Sequence, residues 1–269
     1  MIAQQNQPTM NNTIQIIDLT PDTIADYGVC GYKDVAKHKE LRNKIEWFKT
    51  YHKRGLKIKA LISDDGSYQG MLEFLPGELA HRPVNAEGYL FIHCIFVGFN
   101  KEFKGKGYAS ALIDECINEA KAQHRKGVAV VTRKGSFMID KMVFLKKGFE
   151  LVESAKPDFD LLAYKFEQDS ANPGFKASIK DNLTKYKNGL TILRSVQCPY
   201  TEKNVNAIIE TAQKQYNLKV QLIDLKNAEA AQETPCAFGT FCIIYNGKVI
   251  SHHPISNKRF ENIMNKLLA

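Results

Sequence analysis

Two lysines alternate with two glycines in Lys104-Gly105-Lys106-Gly107, directly ahead of Tyr108-Ala109-Ser110 and an amphipathic run. These residue types suit an anion. Free amides at a helix start carry partial positive charge, lysines add full charge, and glycines let a phosphate approach the backbone. The chemistry implied is capture of a pyrophosphate. From Gly107 onward Ala109, Leu112, Ile113, Cys116, Ile117 and Ala120 recur at helical spacing, which puts the glycines at the helix entrance. The glycine spacing is not that of GxxxxGK followed by Ser or Thr, and the chain has no GxGxxG with an acidic ribose partner about 20 residues on. Nucleoside triphosphate and dinucleotide readings drop accordingly.

A helix mouth of this kind needs a strand to deliver it. Tyr89–Val97 is an almost unbroken apolar and aromatic run, read as a buried strand feeding the turn. The predicted unit is strand, phosphate loop, helix. Downstream, residues 128–132 read as a short strand, residues 140–147 as a helix closing on Gly148, and residues 160–166 as a terminal strand. Upstream, residues 14–19 read as a strand and residues 37–52 as a helix with Leu41, Ile45, Phe48 and Tyr51 on one face. Residues 56–63 and 69–75 flank Asp64-Asp65-Gly66-Ser67 as a hairpin, and residues 76–88 form a polar loop.

A chain of 269 residues is long enough for two domains, each with its own core. Its 44% hydrophobic and 25% charged residues are those of a soluble globular protein. No apolar run approaches the roughly 20 residues of a membrane span, and the Gln/Asn-rich start lacks the layout of a signal peptide. A cytoplasmic protein is expected. Six cysteines without a CxxC pair argue against a disulfide framework and against a zinc site. The net charge of +8 comes from basic residues interleaved with acids, a solvated surface rather than a nucleic-acid footprint. Asp169-Ser170-Ala171-Asn172-Pro173-Gly174 marks a shift in composition. The expected division is a first domain over residues 1–168, a linker over 169–188 and a second domain over 189–269.

The first domain resembles the GNAT N-acetyltransferases. Their coenzyme loop reads Gln or Arg, two residues, Gly, one residue, then Gly or Ala, after a bulged strand. Here Lys104 takes the first position, Gly107 the glycine and Ala109 the last small residue, while residues 147–152 resemble the family segment LYxKxGF. The strings Ile92-His93-Cys94-Ile95-Phe96-Val97, Leu79-Ala80-His81-Arg82-Pro83-Val84, Gly239-Thr240-Phe241 and Tyr245-Asn246-Gly247-Lys248 are similar to the YoaP-like acetyltransferases, which join a GNAT domain to a thioredoxin-like tail. The resemblance implies an α/β (α+β) fold, with a mixed central sheet flanked by helices and a second, smaller thioredoxin-like α/β domain.

It also implies acetyl-coenzyme A as co-substrate and direct attack of an amine on the thioester. An alkyl ammonium with a pKa near ~10 must then lose a proton, and a thiolate of pKa about 8.5 must be stabilised as it departs. For the base the resemblance points to His93, four residues before Val97, with a hydrogen-bonded structural histidine as the competing reading of that residue and Glu87, Glu78 and Glu73 as reserve bases. The family's proton-donating tyrosine falls on Phe144, which cannot donate, so Tyr108, Tyr89, or backbone amides and water are the other routes. Ile95, Phe96 and Val97 would offer main-chain groups to the pantetheine arm, with Phe99 the alternative register for Val97. Lys104, Gly105, Lys106, Gly107, Tyr108 and Ala109 would hold the pyrophosphate, with Ser110 one residue further in. Acceptor recognition is expected on residues 78–89, from Glu78, His81 and Arg82. The acceptor would be a small-molecule or peptide amine, with no nucleic acid, membrane or metal involved.

Beyond residue 188 the order strand, Cys198-Pro199-Tyr200-Thr201, helix, strand, hairpin, helix resembles thioredoxin and glutaredoxin. A cysteine at a helix start has its thiol pKa lowered by the dipole. Thr201 stands where a second cysteine would complete a dithiol motif, and Gly239 where a cis-proline would face it. Monothiol exchange through Cys198, or a structural and recognition role, are the readings left. For the whole chain, two alternatives to catalysis stay open: a non-catalytic acyl-coenzyme A binder, and a monothiol redox protein.

Overall fold

A computed structural model describes residues 14–98, 103 and 105–269; Phe99 and Lys104 lie outside the described residues. The chain opens with β1 (Ile14–Asp18) and the single turn α1 (Ile24–Tyr27). It continues through α2 (Lys39–His52) into the hairpin β2 (Lys57–Ser63) and β3 (Tyr68–Pro76). After the two-residue β4 (Val84–Asn85) come β5 (Tyr89–Val97), α3 (Tyr108–Ala122), β6 (Gly127–Arg133), the short α4 (Met142–Leu145) and the hairpin β7 (Glu150–Ala155) and β8 (Phe159–Lys165). The sheet order is β1-β2-β3-β5-β6-β8-β7, and every neighbouring pair is antiparallel except β5 and β6. Parallel neighbours need a crossover, and α3 supplies it.

The two faces of this sheet bury different partners. On one, Leu72, Phe74, Leu90, Ile92, Val128 and Val130 pack under Leu112, Ile113, Cys116 and Ile117 of α3. The other receives α2, whose buried face is Leu41, Lys44, Ile45, Trp47, Phe48 and Tyr51. Lys44 is the anomaly there, a charge within an apolar stripe.

The second lobe is reached through β9 (Gly174–Phe175) and α5 (Ser178–Asp181). It consists of β10 (Leu190–Arg194), α6 (Val205–Tyr216), β11 (Val220–Asp224), α7 (Ala228–Gln232), β12 (Phe241–Tyr245), β13 (Lys248–Ser251) and α8 (Asn257–Leu268). Its sheet order is β11-β10-β12-β13, with β10 and β11 parallel and the other pairs antiparallel. Asn246 and Gly247 turn the β12–β13 hairpin with φ of 45° and 76°, the left-handed pair that matches strand twist. Among the described residues no helix is long and apolar enough to cross a membrane.

Residues 169–188, expected as the linker, begin as a strap tied to the first lobe. β9 pairs with β4, the Tyr89 hydroxyl donates to Ala171 O at 2.8 Å, and the Phe175 amide donates to Glu153 Oε2 at 2.8 Å. Contrary to expectation, the lobes do not each keep a core of their own. One continuous cluster runs from Leu41, Trp47 and Phe48 to Ile192, Phe238, Phe241 and Phe260. A lobe this small buries too little of its own surface to stand well alone, and the apolar underside of the sheet completes it.

Candidate active site at a splayed, bulged strand

β5 and β6 stay in register from Tyr89↔Gly127 to Ile92↔Val130 and no further, although β6 runs on to Arg133 against β8. Residues 93–97 therefore have β3 on one side and, among the described residues, no strand on the other. The parting coincides with a bulge. Glu73 faces Cys94 while Phe74 faces Ile92, which leaves His93 as the extra residue. A bulge re-aims side chains, and here Cys94 joins His93 on the α2 face instead of alternating back to the α3 face, while His93 lies against Trp47 and Phe91. Ile95, Phe96 and Val97 follow, half-buried, along the part of β5 that β6 no longer flanks.

Where β5 ends, the glycines begin. Gly105 and Gly107 have φ of 73° and 83°, a region that favours glycine, and Gly107 caps α3. An ideal Cβ at either position meets nothing within 4 Å, so these glycines leave space open rather than relieve packing. No side chain caps this helix, and the Ala111 amide bonds back to Gly107 O at 3.0 Å. The amides of Ala109 and Ser110 precede it in the first turn, without an intrahelical acceptor. Open space, free amides and a dipole's positive end are what a pyrophosphate requires, and these residues fit it.

Under the bulge lies a buried polar network. Glu73, fully buried, is in direct ion pairing with Lys44. Gln197 Nε2 from the second lobe donates to Glu73 Oε1 at 2.6 Å, and His93 Nδ1 lies 3.4 Å from the same oxygen. His93 Nε2 accepts the His81 backbone N–H at 2.8 Å, which places the neutral ring's proton on Nδ1. Burial pushes the His93 pKa down to about 4 against the pull of Glu73. Burial raises the Glu73 pKa, but the Lys44 ammonium and His93 more than reverse it, down to about 2. The ring thus has no lone pair to offer an ammonium. This corrects the expected general base: His93 holds Glu73 and His81 in place. Of the reserves, Glu73 is consumed by its donors, while Glu78 accepts the Gly88 amide at 2.9 Å and pairs with Arg125 at 3.3 Å. Glu78 and exposed Glu87 precede the start of β5, at the end remote from the splay.

The residues expected to recognise the acceptor join the lobes instead. His81 and Arg82 are 0% and 4% exposed. The Arg82 guanidinium donates to Phe238 O in the second lobe and to His93 O at 3.3 Å, while Gln232 Nε2 donates to Glu78 O at 3.0 Å and Ala80 O at 3.1 Å. Gly239 shows how closely the lobes meet. An ideal Cβ there would lie 2.6 Å from both Arg82 Cα and His81 O, so the first lobe's backbone fills the place expected of a proline. Tyr89 is likewise committed, to Ala171, and Phe144 is buried with its ring 5.2 Å from Phe149. Tyr108, half-buried at the helix mouth, is the expected hydroxyl still in position.

A cleft of about 280 Å³ opens at the C-terminal end of β5, lined by Gly31, Lys33, Ser67, Tyr68, Gln69, Phe96 and Gly98. Tyr68 is 8% exposed, and its hydroxyl has no hydrogen-bond partner among the described residues. The sequence reading missed Tyr68, Lys44, Gln197 and Cys30. Only Lys44 carried a signal, its charge standing between Leu41 and Phe48 on an apolar helical face.

Two family profiles match the chain: the acetyltransferase (GNAT) family over residues 22–135, and YoaP-like over residues 220–262. Among curated proteins, the uncharacterized N-acetyltransferase YoaP of Bacillus subtilis (strain 168) is 30% identical over 254 residues, spanning 93% of this chain and 98% of that protein. Among solved structures, the acetyltransferase YncA of Salmonella typhimurium with its cofactor acetyl-CoA shares 12% identity over 60% of this chain and 98% of its own, with a TM-score of 0.43. An N-acetyltransferase of Staphylococcus aureus Mu50 shares 15% identity over 58% of this chain and 99% of its own, again with a TM-score of 0.43.

Proposed function

This chain belongs to the YoaP-like GNAT acetyltransferases, and on that premise we propose that it transfers an acetyl group from acetyl-coenzyme A to an amine by direct attack on the thioester. One observation carries the reading: β5 bulges at His93 and leaves β6 at the same point, ahead of a glycine-lined helix mouth. Acetyl-coenzyme A supplies an already activated thioester. The main-chain groups of Ile95, Phe96 and Val97 take the pantetheine arm as they would a neighbouring strand. Gly105, Lys106, Gly107, Tyr108, Ala109 and Ser110 surround the pyrophosphate, and Lys104 joins them by its place in the motif.

Positioning does most of the chemistry. Holding amine and thioester in contact removes much of the entropic barrier, and with His93 engaged the amine enters in its neutral form or yields its proton to water. Tyr108 is the candidate donor to the leaving sulfur. The acceptor enters through the cleft beside Phe96, where Lys33, Ser67 and Gln69 offer it polar groups. The βαβ then ββα order of the second lobe supports its thioredoxin-like reading, and its role here is to close the α2 face over the bulge.

A non-catalytic acyl-coenzyme A binder is the second reading, favoured by Phe144 in the donor's place and by the engagement of His93. Coenzyme A release measured with acetyl-coenzyme A over a panel of small amines and peptide amines separates the two. Amine-dependent release supports transfer; saturable binding without release supports the binder.

A further inference from the structure

Thr201 occupies the second cysteine's place in Cys198-Pro199-Tyr200-Thr201, yet Cys198 does not stand alone. It begins a single turn of 3-10 helix, Pro199–Thr201, with Thr201 turned away so that its hydroxyl donates to the Cys198 carbonyl at 2.7 Å. The thiol facing Cys198 comes from the other lobe. Cys30 lies between α1 and α2 in a tight bridge closed by Val29 and Tyr32, in the left-handed region at φ 52°. Its carbonyl accepts the Tyr200 hydroxyl at 3.2 Å, and the rings of Tyr32 and Tyr200 meet edge to face at 5.2 Å. This clasp sets Cys30 beside Cys198, near enough for each thiol to shift the pKa of the other, and Cys94 on the bulge is a further neighbour of Cys30. No group of His, Cys, Asp and Glu among the described residues is arranged to hold a metal ion, and the thiols are free.

We propose that Cys30 and Cys198 form a redox-active dithiol shared between the lobes, which reduces low-molecular-weight disulfides and is itself oxidised to an inter-lobe disulfide.

The two thiols divide the work. Cys198 is the less buried of the two residues, Cys30 being 8% exposed, so an external disulfide meets Cys198 first. The hydrogen bond from Cys30, the Tyr200 amide and the Lys44 ammonium all lower the Cys198 pKa against burial, while Cys198 raises that of Cys30. An attacking thiolate and a protonated resolving thiol suit sequential exchange. The Cys198 thiolate bonds to one sulfur of the substrate disulfide and expels the other as a thiolate, which takes a proton. Cys30 then loses its proton to water and attacks the Cys198 sulfur, expelling the second thiolate. Two protein thiols are oxidised by two electrons and one disulfide is reduced to two thiols; an external dithiol returns the pair to its reduced form.

The reduced full-length chain is exposed to oxidised glutathione, its free thiols are alkylated, and the digest is mapped by mass spectrometry. The expected product is a linked peptide pair joining Cys30 to Cys198. Cys30→Ser should trap Cys198 as a lasting mixed disulfide with glutathione, and Cys198→Ser should give neither product. With dithiothreitol as donor, reduction of oxidised glutathione should fall more than about tenfold in Cys198→Ser. An unmodified Cys198, a Cys30–Cys94 link in its place, or equal turnover in Cys198→Ser would overturn the proposal. The linkage map needs only the unsubstituted chain, so it decides the matter even where a variant folds poorly.

Discussion

Gln197 in the second lobe donates a 2.6 Å hydrogen bond to Glu73 Oε1 in the first, one residue before Cys198 and opposite the bulge at His93. A carboxylate buried under the reacting strand is thus satisfied from both lobes. Hydrogen bonds from Asn43 Nδ2 to Glu202 Oε1 at 3.0 Å and from the Ala228 amide to the Tyr51 hydroxyl at 3.2 Å extend the same seam. The second lobe completes the first lobe's interior, so damage along the seam should register in both stability and catalysis.

Ser110→Glu separates helix stability from ligand binding. An acid in the first turn favours the helix dipole by about 0.3–1 kcal/mol but repels a pyrophosphate held there. Melting should be unchanged or slightly raised, while affinity for acetyl-coenzyme A by calorimetry should fall at least ~10-fold. Unaltered affinity would move the phosphate site elsewhere.

Lys44→Met should be among the most damaging single substitutions, because it leaves Glu73 charged and buried without its main partner. Breaking a buried pair from one side costs about 3–5 kcal/mol. Adding Glu73→Gln to the same chain should recover part of that loss in urea denaturation. A double variant no better than Lys44→Met would mean that the pair is not coupled.

Acid should weaken the fold early. His93 titrates at about 4 in the folded chain, below the ordinary imidazole value, so unfolding takes up a proton as the pH falls below about 6.5. Its contribution is complete above that value and is lost toward pH 4, at a slope of up to about 1.4 kcal/mol per pH unit. Glu73, held to about 2, adds a loss of the same sign below the ordinary glutamate range. Urea midpoints should therefore fall from pH 7 to pH 4, and His93→Gln should flatten the upper part of that fall. For transfer itself, the rate should rise with the neutral fraction of the acceptor amine and show no imidazole inflection.

Gly239→Ala tests the docking of the lobes. Its Cβ would lie 2.6 Å from Arg82 Cα and His81 O, at a φ of 75°. Strain plus displacement should cost about 1–3 kcal/mol by thermal unfolding, with the helical signal retained. Unchanged stability would mean that the seam is looser than its distances indicate.

How much of this was legible depended on how local the cause was. The α3 periodicity, the β5 run and the Asn246-Gly247 turn are set by neighbours in sequence, and each stands in the structure. The bulge at His93 depends on register against β3, which no pattern within β5 encodes. His81 and Arg82 read as a polar loop because their burial comes from residues distant in sequence, Trp47 and Tyr51 of α2 for His81 and Phe238 of the second lobe for Arg82. The contacts of the connecting strap have the same origin: its small polar residues are ordinary for a loop, and β4, Tyr89 and Glu153 tie them down.

The most direct test of the central claim is calorimetric titration of the full chain with acetyl-coenzyme A, beside Ser110→Glu. Saturable binding of one equivalent, weakened by the glutamate, is the expected result. No binding, or binding indifferent to that charge, would contradict a nucleotide-thioester site at the meeting of β5 and α3.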